Sequence, residues 1–214
     1  MELLVEQAVA VIRAASGNPV DVLGYSLGAV VAAALAAEHP ELVSRLVLVG
    51  GWASGDDTRH QLVFDTWSRL EASDPDLSLR FALTMAFSAD FLGALGRDQV
   101  AQILGRKSTE STRWRIELGR DVDIRERLSR VLAPTLVVGL ARDHFIAPAR
   151  CHDLAGRIAD SRYTELPCGH AVVFERPDAL VSVVRDFLFS TQDGDPTAPG
   201  PGLARRTSHQ ETPA

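Results

Sequence analysis

Ser26 lies between two glycines in Gly24-Tyr25-Ser26-Leu27-Gly28, and its setting suggests chemistry. A serine hydroxyl is a poor nucleophile at neutral pH and needs a base. The apolar run VDVL precedes the pentapeptide, and LGAVVAAALAAE follows it. Ser26 therefore falls where a buried strand turns into a helix. Such a turn strains the central backbone and pushes its side chain outward. The helix N-terminus supplies free N–H groups and a positive dipole end beside the hydroxyl. The G-x-S-x-G pattern alone is weak, since a serine acting as an ordinary helix N-cap explains it equally well.

Six histidines are candidate bases. His170, in LPCGHAVVFERPDAL, follows the last apolar strand run and precedes the last helical run. A loop there points to the same sheet edge as Ser26, and Gly169 is expected to give it freedom. His39 precedes a proline at a helix end, His60 and His152 fall in helical stretches, and His209 is near the C-terminus. A carboxylate should orient the base. Asp143, in VVGLARDHFIAP, follows another strand run and so reaches the same edge. Read alone, Asp143 is better explained as a loop aspartate or turn former. The order Ser26, Asp143, His170 is that of the G-x-S-x-G hydrolases.

The elements that must position these residues alternate in type. Residues 3–15 form an amphipathic helix with Leu4, Ala8, Val11 and Ile12 on its apolar side. SGNP breaks it before a strand at 20–24. A small-residue helix over 27–38 stops before Pro40, and a strand follows at 44–50. This strand lacks polar alternation after Arg45, as expected where both faces are covered. Residues 52–130 show helical patterns, broken at SDPD and GR, and hold Trp52, Trp67 and Trp114. The rhythm returns with a strand at 134–139, a helix at 149–158, a strand at 161–167 and a helix at 177–190. Residues 191–214 are rich in Pro, Gly and Thr and are expected to be disordered. The pattern predicts an α/β fold, mostly parallel, with helices on both faces. Residues 1–51 and 131–190 make its core, and 52–130 an all-helical cap over the crevice at the strands' carboxyl ends.

The net charge of −6 is spread along the chain, with no basic patch, which argues against a nucleic-acid partner. Two cysteines, Cys151 and Cys168, lack metal-ligand spacing and suit a reducing compartment. Acidic residues occupy the place of a signal peptide's basic region, and the longest apolar run is too short to span a bilayer. The expectation is a cytoplasmic protein with no membrane partner.

GYSLG, APTLVVG…D…P and GH before ERPDAL, in that order, resemble the three motifs of the α/β-hydrolase family. From residue 3 to about 190 the chain resembles the C-terminal two-thirds of such a hydrolase with a helical cap. GGW and the run from Phe91 to Asp123 are loosely similar to aminoacrylate hydrolases and enol-lactonases. The resemblance implies a serine hydrolase with Ser26 as nucleophile, His170 as base and Asp143 as its orienting acid. The Leu27 N–H would serve the oxyanion, and Tyr25, Trp52, Trp67 and Phe87 would line the substrate pocket. The substrate would be a small ester, lactone, thioester or activated amide-like molecule, and no metal or organic cofactor is implied. An acyltransferase or a cofactor-free haloperoxidase could use the same residues, and an impaired hydrolase could act as a binding protein. Two departures stand out. Asp143 fits the family's spacing only with an extra loop residue, which keeps Asp56 or Asp57 as alternatives. The family's front strands have no counterpart here. An N-terminally truncated fold is expected, with strand 20–24 as an open edge that could pair with a second copy or a partner chain.

Overall fold

In the computed structural model, residues 1–105 and 109–189 are described. The expected disordered stretch 191–214 lies outside them. Four strands form one parallel sheet in the order β1 (Val20–Tyr25), β2 (Val43–Val49), β3 (Thr135–Leu140), β4 (Ser161–Leu166). Helix α1 (Glu2–Ala15) precedes β1, and α2 (Leu27–Glu38) links β1 to β2. Between β2 and β3 run α3 (Thr58–Ser73), α4 (Pro75–Ala86), α5 (Ala89–Ala94), α6 (Arg97–Leu104) and α7 (Glu110–Asp121). Helix α8 (Pro148–Gly156) links β3 to β4, and α9 (Val172–Glu175) and α10 (Pro177–Phe189) follow β4.

Side chains alternate across a strand, and β2 shows what that does here. Leu46 and Leu48 join one core with α1, α2 and α8, while Val47 and Val49 join a second core on the opposite face. Leu180, Val183, Val184 and Phe187 of α10 pack against that second core. This is why β2 reads as a continuous apolar run. Helix α2 is buried almost all round, from Ala29 to Ala37. Its alanines let it settle between α1 and the sheet, so its sequence shows little amphipathic contrast.

Helix α1 departs from expectation. Its buried stripe is Val5, Val9 and Ile12, and Val11 is exposed. Both stripes satisfy helical spacing, and the surface of α2 decides between them. Strand β1 lies at one edge of the sheet, with Leu23 half exposed. Among the described residues no helix is long and apolar enough to cross a membrane.

Candidate active site

The elbow at the end of β1 has the geometry its sequence suggests. Ser26 has φ 56° and ψ −126°, and it is the single non-glycine residue with positive φ among those described. Such a conformation costs of order 1–3 kcal/mol and persists only where its surroundings enforce it. Those surroundings are a close crossing of strand and helix. A Cβ on Gly24 would lie 2.3 Å from the Gly28 carbonyl oxygen and 2.6 Å from Ala29 Cα. Gly28 plays no such part, because a Cβ there would meet nothing within 4 Å. The Ser26 N–H donates to the Val49 carbonyl at 2.8 Å, which ties the elbow to β2. Ser26 makes no side-chain cap to α2, so the plain N-cap explanation fails. The Leu27 N–H opens the first turn of α2, where a helix has no internal acceptor to offer it.

The Ser26 hydroxyl instead faces His170, with Oγ 2.8 Å from Nε2. On the other side of the ring, Nδ1 lies 2.6 Å from Asp143 Oδ2. Asp143 is 5% exposed. Its Oδ1 accepts the Phe145 and Ile146 N–H groups at 2.8 and 2.9 Å, which aims Oδ2 at the imidazole. The structure thus joins Ser26, His170 and Asp143 in one hydrogen-bonded line. Asp56 and Asp57 lie elsewhere. Asp57 caps α3 by accepting the His60 N–H, and Asp56 bonds Ser54, Arg125 and Arg150. The Ser54 hydroxyl, followed by Arg150 and Arg125, holds the Asp56 carboxyl down at about 2.

The histidine loop is tied down from several sides. Gly169 was expected to supply freedom, but it permits a close approach. A Cβ there would lie 2.5 Å from Ser88 N and 2.6 Å from the Ala86 carbonyl oxygen. Glu175 clasps this junction. Its Oε1 accepts the Ser88 and Gly169 N–H groups, and its Oε2 accepts the Ser88 hydroxyl at 2.6 Å. The Ala171 N–H donates to the Ala86 carbonyl. Phe145 sets its ring edge-on to His170 at 5.7 Å. A second buried histidine, His60 of α3, bonds the Gly119 carbonyl through Nε2, and burial lowers its pKa.

A cavity of about 700 Å³ opens over Ser26 and His170. Tyr25, Trp52 and Trp67 line it, together with Phe64, Phe145 and Ile116. Leu4 and Ala8 of α1 and Val22 and Leu23 of β1 extend its wall along the edge of the sheet. Phe87 does not belong to it. That ring stacks on Phe91 at 5.4 Å and packs against Phe174, beneath the histidine loop. Tyr25 also departs from a purely substrate-facing role, because its hydroxyl donates to the His170 carbonyl. Reading the sequence missed Phe145, Glu175 and the α1 wall. The first two sit within a few residues of Asp143 and His170, and that nearness is the signal they offer. Cys151 and Cys168 are free and buried, and burial pushes the Cys168 thiol up to about 11. Among the described residues no group of three His, Cys, Asp or Glu side chains converges as a metal site.

Comparison with known proteins adds independent findings. The sequence model of the alpha/beta hydrolase fold family matches residues 3–177. Pyrrolizixenacetamide deacetylase of Xenorhabdus hominickii is 35% identical over 189 residues, covering 86% of this chain and 71% of that protein. A Serratia proteamaculans (strain 568) protein with the provisional name carbamate hydrolase RutD is 27% identical over 177 residues. That match covers 80% of this chain and 66% of the relative, so the chain spans just under two thirds of that relative's length. Among solved structures, the enol-lactonase from Burkholderia xenovorans LB400 superposes with a TM-score of 0.75 at 24% identity. It covers 88% of this chain and 73% of that one, and shows the shared fold.

Proposed function

The chain belongs to the alpha/beta hydrolase fold family, and from that premise we propose that it is a serine hydrolase. One observation carries the reading. Ser26 Oγ, His170 and the buried Asp143 carboxylate form an unbroken hydrogen-bonded line beneath an apolar cavity. In the proposed reaction His170 Nε2 takes the Ser26 proton as Oγ attacks a substrate carbonyl. Asp143 holds the proton on Nδ1 and stabilises the imidazolium that forms. The carbonyl oxygen, now negative, lies toward the Leu27 N–H at the positive end of α2. Collapse expels the leaving group, which receives the proton from His170. Water, activated by the same imidazole, then releases the acyl group and restores Ser26.

The cavity wall favours a substrate with an apolar or aromatic body. Trp67 lies against Phe145 at 4.7 Å and Phe64 packs beside both, forming an aromatic wall with one edge at His170. The substrate class is an ester, lactone, thioester or amide of such a body, and similarity to an acetamide deacetylase supports including the amide. The protein would act as a soluble catalyst in the cytoplasm. The test is covalent labelling with a small fluorophosphonate. Wild type is expected to label once, at Ser26, and Ser26→Ala to lose both labelling and hydrolysis of a p-nitrophenyl ester. Equal labelling of the variant would place the nucleophile elsewhere.

A further inference from the structure

Tyr25 is the residue directly before the nucleophile, yet its side chain reaches the histidine loop. Its Oη donates to the main-chain carbonyl of His170 at 2.5 Å. Its ring lies against the imidazole, with centroids 5.3 Å apart and planes 29° from parallel. The same carbonyl also accepts the Val172 N–H at 2.8 Å. The hydroxyl's one hydrogen is therefore committed, leaving only lone pairs to offer a substrate. Burial, aided by the nearby Asp143 charge, raises the Tyr25 pKa, so the phenol remains a donor.

These contacts join the two chain segments that must stay in register. Ser26 sits at the end of β1 and His170 lies after β4, at opposite edges of the sheet. Asp143 governs the Nδ1 side of the ring and Phe145 one edge, but neither is attached to the elbow. Tyr25 is attached to it covalently, through the peptide bond to Ser26. We propose that Tyr25 is a positioning residue for the general base, holding the His170 main chain and ring so that Nε2 stays over Ser26 Oγ. This rests on the serine-hydrolase reading above. Tyr25 touches no reacting atom in this role. Its effect passes through His170, and a loosened imidazole lowers the rate of proton transfer without changing how substrate binds.

Tyr25→Phe keeps the ring against the imidazole and removes the hydroxyl. The carbonyl keeps its Val172 partner, so no buried acceptor is orphaned and the fold is expected to survive. The predicted result is a drop of about tenfold in kcat and in the rate of fluorophosphonate labelling, with KM unchanged within about twofold. Tyr25→Leu, which also removes the stacked ring, should fall further. In parallel, proton NMR of the His170 Nδ1–H bonded to Asp143 should show faster exchange with water in Tyr25→Phe than in wild type. A raised KM at constant kcat would make the hydroxyl a substrate contact and overturn the proposal, as would unchanged kcat and unchanged exchange. If wild type fails to label at Ser26, the serine-hydrolase reading fails. The exchange measurement still decides whether Tyr25 holds the imidazole.

Discussion

The two sides of the site are held by different physics. On the Ser26 side, position comes from volume. A strained backbone is pinned where Gly24 lets β1 and α2 nearly touch, and the surrounding wall is apolar. On the His170 side, position comes from polarity. Asp143 spends one carboxylate oxygen on two main-chain N–H groups and the other on the imidazole, and Glu175 binds three donors across two segments. Close packing tolerates no added atom, whatever its polarity. A hydrogen-bonded loop tolerates small changes of shape but not a donor exchanged for an acceptor. Substitutions that change polarity at constant volume, or volume at constant polarity, should therefore separate the two sides.

The largest effect is expected from Asp143→Asn, which is nearly isosteric. The amide can still accept the Phe145 and Ile146 N–H groups through its oxygen. It then presents N–H donors to His170 Nδ1 and favours the wrong tautomer. Hydrolysis is expected to fall by about 10⁴-fold in kcat, with KM little changed and the fold retained by circular dichroism. A loss below about tenfold would show that polarity does not govern this side. Gly24→Ala is the matching test of volume. The added methyl meets main-chain atoms of α2, which cannot rotate away, and the cost is expected to reach about 3 kcal/mol. Thermal melting and urea denaturation would read it, together with loss of Ser26 labelling as the elbow relaxes.

The difference between the sides also explains what could be read in the sequence. The elbow is local. Strand, glycines, serine and helix follow one another within twenty residues, so both their types and their conformation follow from order. The polar side is assembled from distant segments. Spacing could not choose between Asp143 and Asp56 or Asp57, and only the fold shows the latter two engaged at the start of α3. Asp57 directly precedes α3, and its side chain accepts the His60 N–H as the cap of that helix. Phe87 fits a cavity wall as well as it fits packing on Phe91, because apolar character does not name a neighbour. A glycine at position 169 suggests loop freedom, but the main chain of Ala86 and Ser88, some eighty residues away, closes on it. Val11 failed for the same reason on a smaller scale, since α1 carries two overlapping apolar stripes and α2 accepts one.

Glu175→Gln sharpens the comparison at lower cost. The amide oxygen can keep the Ser88 and Gly169 N–H bonds, and the Ser88 hydroxyl can turn to accept from the new amide. What is lost is the charge assistance in these bonds, expected to be about 1–2 kcal/mol of stability. Because the clasp holds the segment before His170 against the end of α4, kcat should fall with stability, by less than tenfold. Unchanged stability with a large fall in kcat would mean the clasp acts on the base alone.

The smallest effect is expected at the second glycine of the elbow. Gly28 occupies the first turn of α2 and is exposed, and a Cβ there would meet nothing within 4 Å. Its backbone lies outside the positive-φ region, so alanine fits without strain. Gly28→Ala should then stabilise the chain by up to about 1 kcal/mol, because alanine loses less freedom than glycine on entering a helix. Labelling of Ser26 should persist. The two glycines of one pentapeptide would thus respond in opposite directions to the same added methyl. That contrast follows from the crossing of β1 and α2, which leaves room for a methyl on Gly28 but none for one on Gly24. A destabilising Gly28→Ala, measured by thermal melting, would show that packing on the nucleophile side reaches beyond this crossing and into the space over the exposed flank of β1.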